Sequence, residues 1–168
     1  IKGFTAWNLS SVPVEGVRNA ALEGIESGYG RAKLAWYSID PVFYSRPISG
    51  INNNDISLNE TRRVDINELF PEQDLVPGML RTLSTFDLAY YPKEKGPYNN
   101  AQNGQFDSDT KNNWAGITRS LNATNFEQSN VEFIEFWLLD TFSDKDSPQD
   151  DLGELVFHLG NISEDILR

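Results

Sequence analysis

The chain contains no cysteine and only one histidine. Without cysteine there is no disulfide, no thiol nucleophile and no thiolate metal site. With His158 as the single imidazole, a Ser-His-Asp triad has one possible base, and no Gly-x-Ser-x-Gly turn presents a serine to it. His158 lies opposite the apolar side of an expected strand, which fits a structural or surface histidine. Basic residues are also scarce. Fourteen Lys and Arg stand against 25 Asp and Glu, a formal charge of −11. That balance argues against the basic patch on which nucleic-acid binding depends and weakly against docking on anionic lipid. No uncharged apolar run reaches the ~18 residues of a membrane-spanning helix. The longest apolar-rich stretch, residues 131–139, is interrupted by Glu132 and Glu135, so direct membrane insertion of this segment is not expected. Ile1-Lys2-Gly3-Phe4 has no signal-peptide layout, and residues 165–168 read as the start of a turn or helix. Both ends are therefore expected to be cuts in a longer chain.

Aromatic residues are plentiful: four Trp, six Tyr and ten Phe. Together with β-branched residues and scattered Gly, Pro and Asn they favour sheets over helix bundles. The strongest expected strand is 131–139, apolar on both faces and hence covered on both sides. A second runs over 154–159, with Leu155, Phe157 and Leu159 on its core side. The acidic, Ser- and Pro-containing stretch 142–153 between them reads as a hairpin loop. Further strands are expected at 32–39, 83–91 and 114–121. Helical signals are short: 14–26, weakened by Gly16 and Gly24; 65–70, capped by Asp65 and stopped by Pro71; and a cap at Ser163. Residues 48–61 and 92–113 read as long loops, of a length that is usually functional or mobile. Successive strands divided by polar turns predict one domain over residues 1–168, mainly β. The expected fold is a two-sheet antiparallel sandwich of jelly-roll type, with an immunoglobulin-like topology fitting the same pattern.

Few constellations carry chemistry. Glu132 and Glu135 point to opposite faces of one strand, so they cannot form the facing carboxylate pair of a glycosidase. Gly28-Tyr29-Gly30 lacks the Gly-Lys-Ser/Thr ending of a phosphate loop. Asn-x-Ser/Thr triplets at Asn8, Asn59, Asn122 and Asn161 arise readily by chance in such a chain and carry no weight. Acidic loops offer oxygen ligands for a structural calcium ion: Asp107 and Asp109 in one, Asp140, Asp144 and Asp146 in the other. Neither follows the EF-hand spacing. Among the aromatics, Tyr90, Tyr91, Tyr98 and Trp114 lie beside the long loop 92–113 and are the candidates for ligand or partner contact. Trp7, Trp36 and Trp137 are expected in the core. No catalytic residue is assigned.

Several unusual strings then occur in order: Ala32-Lys33-Leu34-Ala35-Trp36-Tyr37-Ser38-Ile39-Asp40-Pro41, Arg62-Arg63-Val64-Asp65-Ile66-Asn67-Glu68-Leu69-Phe70-Pro71, Leu83-Ser84-Thr85-Phe86-Asp87-Leu88-Ala89-Tyr90-Tyr91-Pro92, Lys95-Gly96-Pro97-Tyr98-Asn99, Trp114-Ala115-Gly116-Ile117-Thr118-Arg119, Ile134-Glu135-Phe136-Trp137-Leu138-Leu139-Asp140 and Leu159-Gly160-Asn161-Ile162-Ser163-Glu164-Asp165. In this order and spacing, over nearly the whole chain, they resemble the SprA/Sov family of Bacteroidota. The resemblance implies a soluble domain of a very large outer-membrane protein, the type IX secretion and gliding-motility translocon. Such proteins combine a giant β-barrel with soluble insertions. It further implies no enzyme activity and no cofactor. The implied partners are the rest of the translocon chain and other outer-membrane secretion proteins, on the extracellular or periplasmic side. The last two expected strands resemble the closing strands of galactose-binding-like jelly rolls, which leaves a carbohydrate-binding module on cell-surface polysaccharide as the alternative function.

Overall fold

The computed structural model describes residues 7–13, 22–106, 110–121, 132–141, 153–163 and 165–166. Among them the secondary structure is mainly strand: β1 (Asn8–Leu9), β2 (Ala32–Tyr37), β3 (Val64–Asp65), β4 (Thr82–Leu83), β5 (Asp87–Lys95) and β6 (Ile117–Thr118). The helices α1 (Val42–Ser45) and α2 (Ile66–Leu69) are single turns, and two short 3-10 segments lie at Gly24–Gly28 and Thr110–Asn112. Three two-stranded sheets form, pairing β1 with β6, β2 with β5 and β3 with β4. The first and third are antiparallel, with Asn8 opposite Thr118 and Val64 opposite Leu83. The second runs the same way, since Arg31 meets Gly96 while Lys33 meets Glu94. The fold is therefore β-rich with small antiparallel sheets. Among the described residues no helix is long and apolar enough to cross a membrane.

The contacts gather into two units. The first comprises Ile1–Trp36, Leu88–Glu135 and Leu152–Arg168; the second comprises Tyr37–Asp87 and Phe136–Asp151. Every described residue that is buried belongs to the first: Val12, Ala32, Ala101 and Trp114 among the apolar ones, with Ser27, Gly28, Gly30 and Arg31. The second is built on the β3–β4 hairpin and α2. There Asp65 caps the helix as expected, accepting from the Asn67 backbone N–H at 3.0 Å, while Glu68 accepts from the Asp65 N–H at 3.0 Å.

Several expectations need correction. The strand expected over 83–91 divides at residues 84–86 and resumes from Asp87 to Lys95, so it takes in the first residues of the expected loop. Pro92 lies inside it. A two-stranded sheet tolerates this because a strand paired on one side has an open edge that needs no donor. The strand expected over 114–121 shrinks to Ile117–Thr118, with Trp114 joined to Arg31 by an isolated parallel bridge. Residues 132–139 and 154–159 carry no strand ladder and are exposed; Val131 lies outside the described residues, as do 14–21 of the expected first helix. Strand propensity is a preference for a paired, half-buried surface rather than an intrinsic backbone state. Among the described residues neither segment is part of a strand ladder. Trp137, expected in the core, is accordingly 68% exposed, with its ring edge-on to Phe70 at 6.1 Å and 84°.

Candidate functional site

The densest constellation of the first unit surrounds Arg31. The short 3-10 segment ends at Gly28, whose carbonyl accepts from the Arg31 N–H at 2.9 Å. That turn delivers Arg31 to the start of β2. Its guanidinium donates to the Ser10 carbonyl at 3.0 Å and to the Ile166 carbonyl at 2.8 Å. It also lies 4.5 Å from the centre of the Trp114 ring. Arg31 is 1% exposed. Burial pushes its pKa down to about 10, partly opposed by the neighbouring Tyr98, so the group stays charged at neutral pH. Arg31 Nε, Trp114 Nε1 and Ser10 Oγ are buried without a hydrogen-bond partner, a cost of about 1–3 kcal/mol for each such group.

A tight turn is fastened to this centre. The Asn99 N–H donates to the Gly96 carbonyl at 3.3 Å, closing Gly96-Pro97-Tyr98-Asn99. Pro97 holds its own φ near −65° and Tyr98 has φ of +62°, the combination that defines a type II turn. The Gly96 N–H donates to the Arg31 carbonyl at 3.0 Å. A Cβ on Gly96 would meet the Ala32 carbonyl oxygen at 2.2 Å, so glycine is required there by close approach. The Asn99 side chain donates to the carbonyls of Arg31 at 2.6 Å and Tyr29 at 3.1 Å and accepts from the Ala101 N–H at 3.1 Å. The Lys95 ammonium donates to the Ala101 carbonyl. Both flanks of the turn are thus pinned to the body.

Of the four aromatic candidates, Tyr98 is the freest. It is 52% exposed, and among the described residues its hydroxyl makes no hydrogen bond. Tyr90 is tied down, donating to the Asn113 carbonyl at 2.7 Å, and burial pushes its pKa up. Tyr91 has the Lys33 ammonium 4.7 Å from its ring centre, and Lys33 is itself paired with Glu94 at 2.6 Å. Trp114, taken from the sequence as an exposed contact, is 8% exposed. Arg31 lies against its ring, and Gly30 leaves no room beside it, since a Cβ there would come within 3.2 Å of the indole. Tyr90 and Tyr91, as neighbours along β5, point to opposite faces. The four do not make one flat platform.

The acidic loops divide differently. Asp107, Asp109, Asp144 and Asp146 lie outside the described residues, and Asp140 is exposed. Among the described residues no cluster of three metal-ligating side chains forms. Among the described residues, hollows open in the second unit. One, of about 440 Å³, is lined by Leu69, Phe70, Pro71, Glu72 and Gln73; another, of about 240 Å³, includes Tyr44 and Arg46. Neither sets two carboxylates across from each other.

Sequence reasoning missed Arg31, Gly96 and Asn99. The available signal was the turn chemistry of Gly-Pro-Tyr-Asn. No local pattern marks Arg31, because its acceptors lie 21 and 135 residues away. No protein-family model matches this chain, and no curated protein matches it significantly.

Proposed function

We propose that this chain is a non-catalytic structural and interaction domain of an outer-membrane translocon serving type IX protein secretion and gliding motility, of the SprA/Sov kind. The observation that carries the reading is the ordered set of strings quoted above, running from Ala32 to Asp165. Three of them, 32–41, 95–99 and 114–119, supply much of the Arg31 centre: β2, the turn and Trp114. Those strings are thereby engaged in packing and backbone hydrogen bonding, the use expected of a scaffold rather than of reacting groups. The finer fold we assign is a two-sheet antiparallel jelly-roll sandwich, supported by the alternating burial along the first half of β5. The domain acts at the outer membrane, on its extracellular or periplasmic side, through the remainder of the translocon chain and neighbouring secretion proteins.

The test is a pull-down from outer-membrane extracts with the chain as bait, run beside a glycan array. Retention of identified secretion-system proteins with a blank array is the expected result. A reproducible glycan hit without protein partners would replace this reading with that of a carbohydrate-binding module.

A further inference from the structure

We propose that the turn Gly96-Pro97-Tyr98-Asn99 and the loop after it are a protein-docking surface, with Tyr98 as its anchor and a partner that offers a pocket for the ring and neutral polar groups around it. This deepens the interaction reading above and rests on it. The argument starts from backbone conformation. The third position of a type II turn takes glycine or asparagine, because its φ is positive. Tyrosine there, at φ of +62°, is strained by its Cβ. A buried ring could offset that strain, yet this one is half exposed and its hydroxyl makes no hydrogen bond among the described residues. The turn around it is rigid: Gly96 is fixed by close approach to Ala32, and Asn99 reaches the Tyr29 and Arg31 carbonyls. The fold thus holds a large amphipathic ring half exposed on a fixed base beside Arg31, in a slot where a smaller residue would fold better. Pre-organised tyrosines of this kind give contact area at low entropic cost.

The flanking residues specify the partner. Residues 96–105 contain no charged side chain in a chain of net charge −11. The loop exposes Asn100, Gln102, Asn103 and Gln105, and it is braced internally by the Gln102 N–H donating to the Gln105 side-chain oxygen at 2.6 Å. Amides both donate and accept, and with Tyr and Gly they make the adaptable polar rim of a protein-binding loop. The surface carries no charge of its own, so complex formation there is expected to depend only weakly on salt.

The test replaces Tyr98 by a photo-crosslinking phenylalanine analogue in the full chain, irradiates it in outer-membrane extract, and identifies cross-linked peptides by mass spectrometry. Tyr98→Asn and Tyr98→Phe are compared in the pull-down. The expected result is a cross-link to one defined site on an outer-membrane secretion protein, changed less than threefold between 50 and 500 mM salt (roughly the range over which exposed charges become screened). Tyr98→Asn lowers capture at least tenfold, Tyr98→Phe keeps most of it, and the unfolding midpoint of Tyr98→Asn equals or exceeds that of the parent. Capture that is unchanged in Tyr98→Asn overturns this surface and leaves the interaction reading standing. Capture of nothing by the parent chain overturns both. A Tyr98→Asn chain that unfolds more easily than the parent overturns the proposal by itself, because the ring then serves the fold.

Discussion

The two units of this molecule are held together in opposite ways. In the first, a buried guanidinium joins three segments remote in sequence, around Ser10, Trp114 and Ile166, and glycines at 30, 96 and 116 let backbone and side chains close on one another. In the second, no described residue is fully buried. Its specific contacts are exposed or only part-buried: Arg62 with both carboxylate oxygens of Glu68 at 2.9 Å, Asp65 capping α2, the part-buried Tyr44 hydroxyl on the Thr61 carbonyl, and Arg63 5.6 Å from the Tyr44 ring centre. Burial strengthens each hydrogen bond and makes each missing one costly. Exposure makes contacts individually weak, salt-sensitive and replaceable. Substitutions in the first unit are therefore expected to be severe and those in the second mild.

Arg31→Ala carries the largest expected effect. It removes two charge-assisted hydrogen bonds and the stacking on Trp114, and it leaves two carbonyls without their donor. Relief of burying the charge offsets part of this, for a net loss of about 3 kcal/mol. Arg31→Lys recovers little, since one ammonium cannot reproduce the planar fork. Hydrogen exchange read by segment checks the comparison: protection falls around β1, β2 and β6, while α2 keeps its own. Equal loss in both units would erase the distinction. Gly96→Ala comes next. The added carbon would lie 2.2 Å from the Ala32 oxygen, so β2 and β5 must separate. Overpacking of this sort costs about 1–3 kcal/mol, and it is detected as faster exchange along β2 with a lower denaturation midpoint.

The same contrast explains which parts of the fold were legible in the sequence. The α2 cap was read correctly because its parts, Asp65, Glu68 and Pro71, lie within seven positions and act through local backbone geometry. Strand β2 was read almost to the residue from its apolar, aromatic composition. The Arg31 centre was not legible, because an arginine at a strand start predicts a solvated charge and its acceptors are backbone carbonyls set by tertiary structure. Trp114 and Trp137 show the same limit from both sides. Each is a tryptophan in an apolar string; one is enclosed by Arg31 and Gly30, the other stands beside Phe70 in solvent. The sequence predicts the reverse, Trp114 as an exposed contact and Trp137 in the core, and only the neighbours set by tertiary structure decide which is enclosed. Tyr98, expected as a contact beside the long loop 92–113, is the most exposed of the four aromatic candidates, and Tyr90 and Tyr91 are exposed with it.

In the second unit, Asp65→Ala removes the cap of a single-turn helix and costs about 1 kcal/mol. Calorimetry and exchange at α2 measure it, and an effect equal to that of Arg31→Ala would break the comparison. The smallest expected effect is a pH dependence. The Arg62 guanidinium, hydrogen-bonded to Glu68, and then the Asp65 N–H hold the Glu68 carboxyl below the ordinary glutamate value. The folded state therefore binds fewer protons than the unfolded state in the acidic range. The stabilisation is fully present above the unfolded pKa, about 4.3, and is lost as pH falls through the lowered folded value. Both side chains are substantially solvent-exposed, so salt screens the pair. Glu68→Gln is expected to flatten the acid limb of α2 protection at low salt and to have a smaller effect at high salt, where only the Asp65 N–H contribution persists. Arg31, by contrast, stays charged across the whole acidic range, so protection of the first unit follows no such limb from that residue. Acid titration of amide exchange in the two units then separates a contact that solvent can dissolve from one that it does not reach.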